Sequence, residues 1–303
     1  MSDRPILITG GLGQLALALE GRAPDVASIA PVVRVGRPAF DFDRPHTVAE
    51  VFDRVGPSLV INAAAYTAVD AAETDADSAF RANRDGPAEL ARLCRTAGIP
   101  LIHVSTDYVF DGGKGAPYAE TDPVSPQAVY GASKLAGEEA VLTSGAQAII
   151  FRTSWVYSPT GKNFVRTMLN VGRTRDRLTV VADQKGCPTT AADLATAILT
   201  IASRVLTDGW DDRYAGVFHA AGTGWTTWHW LAVAVFEESA RHGGRTPVVD
   251  PIRTEDWPTP ARRPADSRLD CARLAEVFDV RLPTWRDGLA RTVAAIYGAE
   301  ADS

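Results

Sequence analysis

An α/β fold built on a doubly wound parallel sheet is predicted by three observations. Short Val- and Ile-rich runs alternate with longer stretches of helical period, as repeated βαβ units require. The runs LIHVS and AIIF carry apolar side chains on both faces, as strands covered by helices on each side do. A glycine-rich turn follows the first run and opens a helix.

Taken in order, strands are expected at residues 5–9, 31–35, 59–63, 101–105 and 148–153, separated by helices over 14–20, 47–55, 76–97 and 130–142. The second half is less regular. It reads as a helix over 163–171, a strand at 178–182, an Ala-rich helix over 191–205, a strand at 217–220 and a helical stretch over 227–241. Beyond it Pro247, Pro251, Pro258, Pro260 and Pro264 cannot continue a central sheet, so the tail belongs to a smaller C-terminal lobe. The division expected is residues 1–155 with 189–245 as the nucleotide-binding domain, and 156–188 with 246–303 as the substrate lobe, with a cleft between them.

With 303 residues, 46% of them apolar, the chain buries a substantial core, and disorder and fibrous structure are excluded. The balance of 31 Lys+Arg against 37 Asp+Glu, net −6, lacks the basic stripe that a nucleic-acid surface presents. No apolar run is long enough to cross a bilayer, and Asp3 and Arg4 lead directly into a strand rather than a signal-peptide core. A cytoplasmic location without membrane or nucleic-acid partners is therefore expected. Cys94, Cys187 and Cys271 are odd in number and far apart, which suggests reduced packing thiols. No acid or His cluster has metal-ligand spacing, and His219 and His229 read as packing and surface residues.

Thr9-Gly10-Gly11-Leu12-Gly13-Gln14-Leu15-Ala16 places glycines where a strand turns into a helix. There the backbone N–H groups meet a pyrophosphate at the positive helix end, and Ala16 lets helix and strand pack closely. Two registers fit, one on Gly11, Gly13 and Ala16 and one on Gly10, Gly13 and Ala16. This is the dinucleotide fingerprint of a Rossmann-type fold. The second strand ends in Arg34 and Arg37, with no acid until Asp41. Guanidinium forks suit a 2′-phosphate, which favours NADPH with NADH still possible; two solvated surface arginines fit the same residues.

Of the seven tyrosines only Tyr130 has a lysine four residues later, Lys134, on the same helix face. A nearby ammonium favours the ionised phenol, so Lys134 is expected to draw Tyr130 from its usual value near 10 toward working pH. The strand over 101–105 runs into Ser105-Thr106-Asp107-Tyr108-Val109-Phe110-Asp111-Gly112 at the carboxyl edge of the sheet, where open α/β proteins bind ligands. Thr106 is then placed to hydrogen-bond a substrate carbonyl beside Tyr130, unless the segment is only a Ser/Thr turn closing a strand.

These motifs, with Ile61-Asn62-Ala63-Ala64-Ala65-Tyr66-Thr67-Ala68-Val69-Asp70, resemble the extended short-chain dehydrogenase/reductases, and within them the dTDP-4-dehydrorhamnose reductase family. The likeness continues through Arg152-Thr153-Ser154-Trp155-Val156-Tyr157, Gly161-Lys162-Asn163-Phe164, Val181-Ala182-Asp183-Gln184 and Pro258-Thr259-Pro260-Ala261-Arg262-Arg263-Pro264, essentially the whole chain.

The resemblance implies reduction of the C4 ketone of a dTDP-4-keto-6-deoxy-L-hexose. Tyr130 would be the proton donor, Lys134 would also hold the nicotinamide ribose, and Thr106 would complete the carbonyl site. Gly10, Gly13, Gln14 and Leu15 would lie at the pyrophosphate, Asp41 and Phe42 near the adenine, and Ala63, Ala64, Ala65 and Thr67 along the cofactor's path. Asp107, Trp155, Asn163, Arg262 and Arg263 would meet the sugar nucleotide, the arginines through bidentate phosphate contacts. Without the resemblance Trp155 reads as a core aromatic, and a solvated charged loop fits the arginines as well as a phosphate clamp does.

Against the family pattern, Ala16 replaces a glycine, Lys185 and Cys187 replace apolar or small residues, Trp257 replaces a tyrosine and Asp266 an asparagine. Most lie in the expected substrate lobe and bear on which sugar is used. The superfamily also holds epimerases, dehydratases and non-catalytic NADP-binding regulatory subunits. Dehydratases carry an Asp-Glu pair after the threonine, where this chain has Asp107-Tyr108. A regulatory subunit needs no complete Thr, Tyr and Lys set. A monomer and a homodimer are both compatible with the sequence.

Overall fold

The structure, a computed structural model, describes residues 4–26 and 28–301. Its central sheet is six-stranded and wholly parallel, in the order β10-β5-β4-β3-β1-β2. These strands are β1 (Ile6–Thr9), β2 (Val32–Val35), β3 (Leu59–Asn62), β4 (Leu101–Thr106), β5 (Ala148–Thr153) and, after the short β6 (Val156–Tyr157), β7 (Arg177–Val181), β8 (Lys185–Gly186) and β9 (Thr189–Thr190), β10 (Gly216–His219). The chain leaves β2 at one edge and returns to β3 on the other side of β1, and this reversal opens a crevice at the carboxyl ends of β1 and β3.

The helices are α1 (Gln14–Gly21), α2 (Pro45–Val55), α3 (Val69–Ala72), α4 (Ala76–Phe80), α5 (Gly86–Ala97), α6 (Val129–Thr143), α7 (Phe164–Gly172), α8 (Ala191–Asp208), α9 (Trp228–Ala240), α10 (Ala272–Phe278) and α11 (Trp285–Ala301). Alternation along the strands feeds two cores. Ile6 and Ile8 of β1 point toward α1 and α8, while Leu7 points toward α2 and α5. Burial on both faces is what the apolar runs demanded.

A third core forms from Val165 and Leu169 of α7, Leu231 and Val235 of α9, and Trp285, Leu289, Val293 and Ile296 of α11. Helix α9, inside the 189–245 stretch expected to belong to the larger domain, thus packs with the smaller lobe. Leu274 and Phe278 of α10 pack instead under the main sheet. The proline-rich tail stays out of that sheet: β12 (Val248–Ile252), which follows the short β11 (Thr226–Thr227), carries Pro251 and pairs only with β7.

Two elements differ from the sequence reading. The helix expected over 76–97 is divided by a π-helical turn at Arg81–Asp85. Its cause is the close approach of α6, since a Cβ on Gly137 would lie 1.9 Å from the Asn83 carbonyl oxygen. Helix α11 was not anticipated, although Trp285, Leu289, Val293 and Ile296 recur at helical spacing along one buried stripe. No helix among the described residues is long and apolar enough to cross a membrane.

Candidate active site

The glycine turn is built for close approach. Gly10 has φ +115 and Gly11 φ +53, and a Cβ on Gly10 would lie 2.9 Å from the Ala63 carbonyl oxygen. A Cβ on Gly36, just beyond β2, would fall 2.3 Å from the Gly11 Cα. Gly13 caps α1 without a side-chain acceptor, so the first-turn N–H groups are open to an anion.

Two cavities flank this turn. One, of about 620 Å3, is lined by Gly10, Gly11, Arg34, Gly36, Arg37, Asp41, Phe42, Ala64 and Ala65 among others. The second, of about 430 Å3, brings Gly10, Gly13, Gln14, Leu15, Ala63, Ala65 and Thr67 together with Thr106, Asp107, Tyr130, Lys134 and Trp155. Each expected cofactor residue therefore lines one cavity or both. The two cavities share Gly10 and Ala65 at the glycine turn, and together they fit a dinucleotide, with Arg34 and Arg37 lining one and Tyr130 the other. The arginines are paired rather than loosely solvated: Arg34 with Glu20 (2.8 Å) and the Gly11 carbonyl (2.7 Å), Arg37 with Asp41 (2.9 Å) and Asp43 (2.6 Å).

Helix α6 carries Tyr130, Lys134 and Glu138 at successive turns. Lys134 is buried, and its Nζ donates to the Val104 carbonyl at 2.7 Å and lies 3.4 Å from His103 Nε2. Burial pushes the ammonium down to about 8, with Glu138 opposing that shift. Beyond it, Arg152 binds the buried Glu138 carboxylate at 2.7 Å, and Ser105 donates to the same group at 2.5 Å.

The expected drop in the Tyr130 pKa is not found. Burial pushes the phenol up to about 12, and a hydrogen bond with Thr106 offsets only part of this. Desolvation outweighs charge here because the Lys134 amine is turned to the Val104 carbonyl. Tyr130 thus stands as a neutral O–H donor, the form a carbonyl reduction needs.

Asp107 is buried beside Thr106, which donates to its carboxylate at 3.1 Å, and Ser154 donates to the other oxygen at 3.0 Å. Burial raises it to about 6 against the hydrogen bonds from Ser267, Ser154 and Thr106. Trp155, at φ +48, is half-buried and lies against Trp228, which lines both this cavity and a neighbouring one of about 330 Å3. That third space is apolar, lined by Phe164, Met168, Val180, Ile252 and Trp257, with Arg263 at its edge.

The remaining expected substrate residues are placed differently from one another. Arg263 lines the apolar cavity while paired with Asp70 at 2.8 Å. Arg262 is exposed and lines neither space. Asn163 also lines neither: its Oδ1 caps α7 through the Arg166 N–H at 3.1 Å, and its Nδ2 binds Gln14 Oε1 at 2.9 Å. Gln14 is in turn held by Ser158 at 3.0 Å. Of the four substitutions in the substrate lobe, only Trp257 lines a cavity of the cleft; Asp266 pairs with Arg268 at 2.6 Å, and Cys187 faces a separate hollow.

Sequence reasoning missed the residues that act as supports. Asn83, in the π turn, is fully buried; it accepts from the Tyr66 N–H at 2.8 Å and donates to the Tyr66 carbonyl at 3.0 Å and to Ser133 at 2.9 Å. It joins the loop after β3 to α6, and no local pattern marks it. Trp228 and Gln184, which meet at 3.1 Å, are also long-range partners.

Comparison with known proteins follows the same lines. The family described as RmlD substrate binding domain matches residues 4–297. The chain is 46% identical to a dTDP-4-dehydrorhamnose reductase of Sinorhizobium fredii over 292 residues, 96% of this chain and 97% of that protein. It is 41% identical to the one from Mycobacterium tuberculosis over 296 residues, 96% and 92% of the two chains. The solved structure of the Bacillus anthracis dTDP-4-dehydrorhamnose reductase in complex with NADP aligns with a TM-score of 0.88 and 32% identity, covering 97% of this chain and 100% of that one. With its fold matched and nearly all of its sequence aligned, the chain belongs to the RmlD family of dTDP-4-dehydrorhamnose reductases.

Proposed function

We propose that this protein reduces the C4 ketone of a dTDP-linked 4-keto-6-deoxyhexose with NADPH, as a biosynthetic enzyme of the cytoplasm. The observation that carries the reading is the convergence of Thr106, Tyr130 and Lys134 on the cavity into which the glycine turn opens. The cofactor supplies the hydride. The chain supplies everything else.

The α1 N-terminus and glycine turn hold the pyrophosphate, and Arg34 and Arg37 face the 2′-phosphate end. Thr106 and Tyr130 converge on the substrate oxygen, where Tyr130 gives up its proton as negative charge develops. Trp155 and Trp228 wall the hexose, and the apolar cavity beyond Trp228 receives the nucleotide base. Arg263 stands at that cavity's edge as the diphosphate contact. A dehydratase reading is disfavoured because Tyr108, packed edge-on to Tyr130 with ring centroids 5.7 Å apart, occupies the position where a second carboxylate is needed.

The test is stoichiometry. Wild-type protein given dTDP-4-keto-6-deoxy-L-hexose is expected to oxidise one equivalent of NADPH per substrate. Tyr130→Phe is expected to bind NADPH and turn over at least a hundredfold more slowly, within the roughly 10²–10⁴-fold range of a lost general acid. Substrate isomerisation without net NADPH oxidation would overturn the proposal in favour of an epimerase.

A further inference from the structure

We propose that His103 is a positioning residue for the reductase: Asn62 fixes it as the Nε2–H tautomer, and that N–H faces Lys134 as a donor, favouring the free amine over the ammonium. The geometry is independent of the assigned reaction; only its catalytic consequence rests on that reading.

The chain of inference starts at the Ala64 N–H, which is shared between Asn62 Oδ1 at 3.2 Å and the Thr9 hydroxyl oxygen at 3.3 Å. An amide NH2 in the place of that Asn62 oxygen would oppose the Ala64 N–H donor to donor, and the Thr9 hydroxyl donates to the same oxygen at 2.6 Å. Asn62 therefore presents its NH2 group to His103 Nδ1, 3.0 Å away, and Nδ1 must offer its lone pair. His103 is fully buried, and burial together with the neighbouring Lys134 charge holds its pKa far below the ordinary value, so the ring is neutral. A neutral ring that accepts at Nδ1 carries its proton on Nε2.

Lys134 Nζ lies 3.4 Å from that nitrogen, and the acceptor it reaches is the Val104 carbonyl at 2.7 Å. An ammonium there opposes donor to donor. A free amine has a lone pair that takes the Nε2 proton in a hydrogen bond. Among the other titratable groups packed on β4, Glu138 acts in the opposite sense and favours the ammonium. Tyr130 lies two turns earlier on α6 than Glu138, and Glu138 is engaged by Arg152 of β5 and by Ser105. Strand β3 contributes only Asn62.

The consequence concerns the phenolate that Tyr130 becomes in each turnover. Lys134 Nζ is held at the Val104 carbonyl, on the same face of α6 as Tyr130, so its charge state sets the field that the phenolate meets. When the ammonium, pushed down to about 8, releases a proton to solvent, the free amine left behind is the acceptor that His103 Nε2–H lacks. Thr9, Asn62 and His103 thus anchor the proton economy of α6 to the strand that bears the glycine turn.

The experiment uses cofactor-free, full-length protein. Nitrogen-15 NMR of the His103 ring is expected to show a protonated Nε2 and an unprotonated Nδ1. An Nδ1–H tautomer would overturn the proposal, and this readout needs neither a variant nor turnover. With four lysines in the chain, ¹³Cε titration resolves Lys134 directly. His103→Phe is expected to raise its midpoint by about one pH unit, a tenfold gain in proton affinity, and to shift the pH profile of turnover in the same sense. An unchanged midpoint in a folded variant contradicts the proposal. A protein that shows the predicted tautomer and titration yet fails to reduce the sugar nucleotide leaves His103 as assigned and refutes the reaction instead.

Discussion

The indole of Trp155 lies parallel to that of Trp228, with ring centroids 3.5 Å apart and planes at 7°. Trp155 holds this pose at φ +48, a conformation bulky residues avoid, and Gly186 makes room for it: a Cβ there would lie 2.3 Å from the ring. Trp228 is fixed by Gln184, which also donates to Thr254 at 3.0 Å. The wall of the proposed hexose site is therefore positioned from the smaller lobe. Replacing Trp228 by Leu removes a contact of about 1 kcal/mol and frees Trp155. The expected result is a roughly 5- to 10-fold rise in KM for the sugar nucleotide with NADPH affinity unchanged by fluorescence titration. Equal losses in both would place Trp228 in general stability instead.

Asn83 joins two parts of the cleft, and its loss is expected to be felt in both. Asn83→Ala leaves the partly buried Tyr66 N–H and carbonyl without their Asn83 partners and opens a gap under Ser133. A destabilisation on the order of 3 kcal/mol is expected, measured by urea denaturation, together with weakened cofactor binding. Asn83→Asp, which retains the acceptor for the Tyr66 N–H, is expected to lose less.

Arg37 is the more exposed of the two arginines that line the cofactor cavity, and in the proposed binding mode a 2′-phosphate competes for it with Asp41 and Asp43. Arg37→Ala is expected to raise KM for NADPH roughly 10- to 100-fold, the value of one charge-assisted contact, and to leave KM for NADH within about twofold. Parallel changes for both cofactors would show that Arg37 does not read the phosphate.

Acid stability should be governed by buried neutral histidines. His219 is pushed down to about 3, chiefly by burial and then by the Arg152 charge. Between its unfolded value of 6.5 and about 3 the unfolded chain holds a proton that the folded one refuses. Unfolding then takes up a proton, and stability falls as the pH drops through that window. Asp107, raised from 3.8 to about 6, works in the opposite sense between those two values. His219→Leu is expected to flatten the decline below pH 6.5 by a few kcal/mol, on the order of 5 at most, as read from denaturation midpoints against pH. An unaltered slope would show that His219 does not carry this dependence.

Much of this was legible in the sequence because the informative signals are local. The glycine turn, the apolar strands and the Tyr130–Lys134 pair each lie within a few residues, so pattern and function coincide. What was illegible depends on distant partners. The π turn at Asn83 exists because Gly137, more than fifty residues on, presses against it, and the Nδ2 of Asn163 is taken up by Gln14, far away in the chain. The Tyr130 charge state was misjudged for a related reason. Spacing places an ammonium on the right helix face, but only the fold shows that its amine is turned to Val104 and that burial dominates. Arg262 and Arg263 are adjacent in sequence, yet only Arg263, tied to Asp70, meets a cavity.

The most direct test of the reductase assignment is the fate of the hydride. Incubation of the protein with dTDP-4-keto-6-deoxy-L-hexose and NADPH deuterated at the nicotinamide C4, followed by NMR of the sugar product, is expected to show deuterium at C4 of the hexose in one configuration, with an equal loss of reduced cofactor. A product without deuterium at C4, or an isomerised ketone with the cofactor unconsumed, would contradict the assignment.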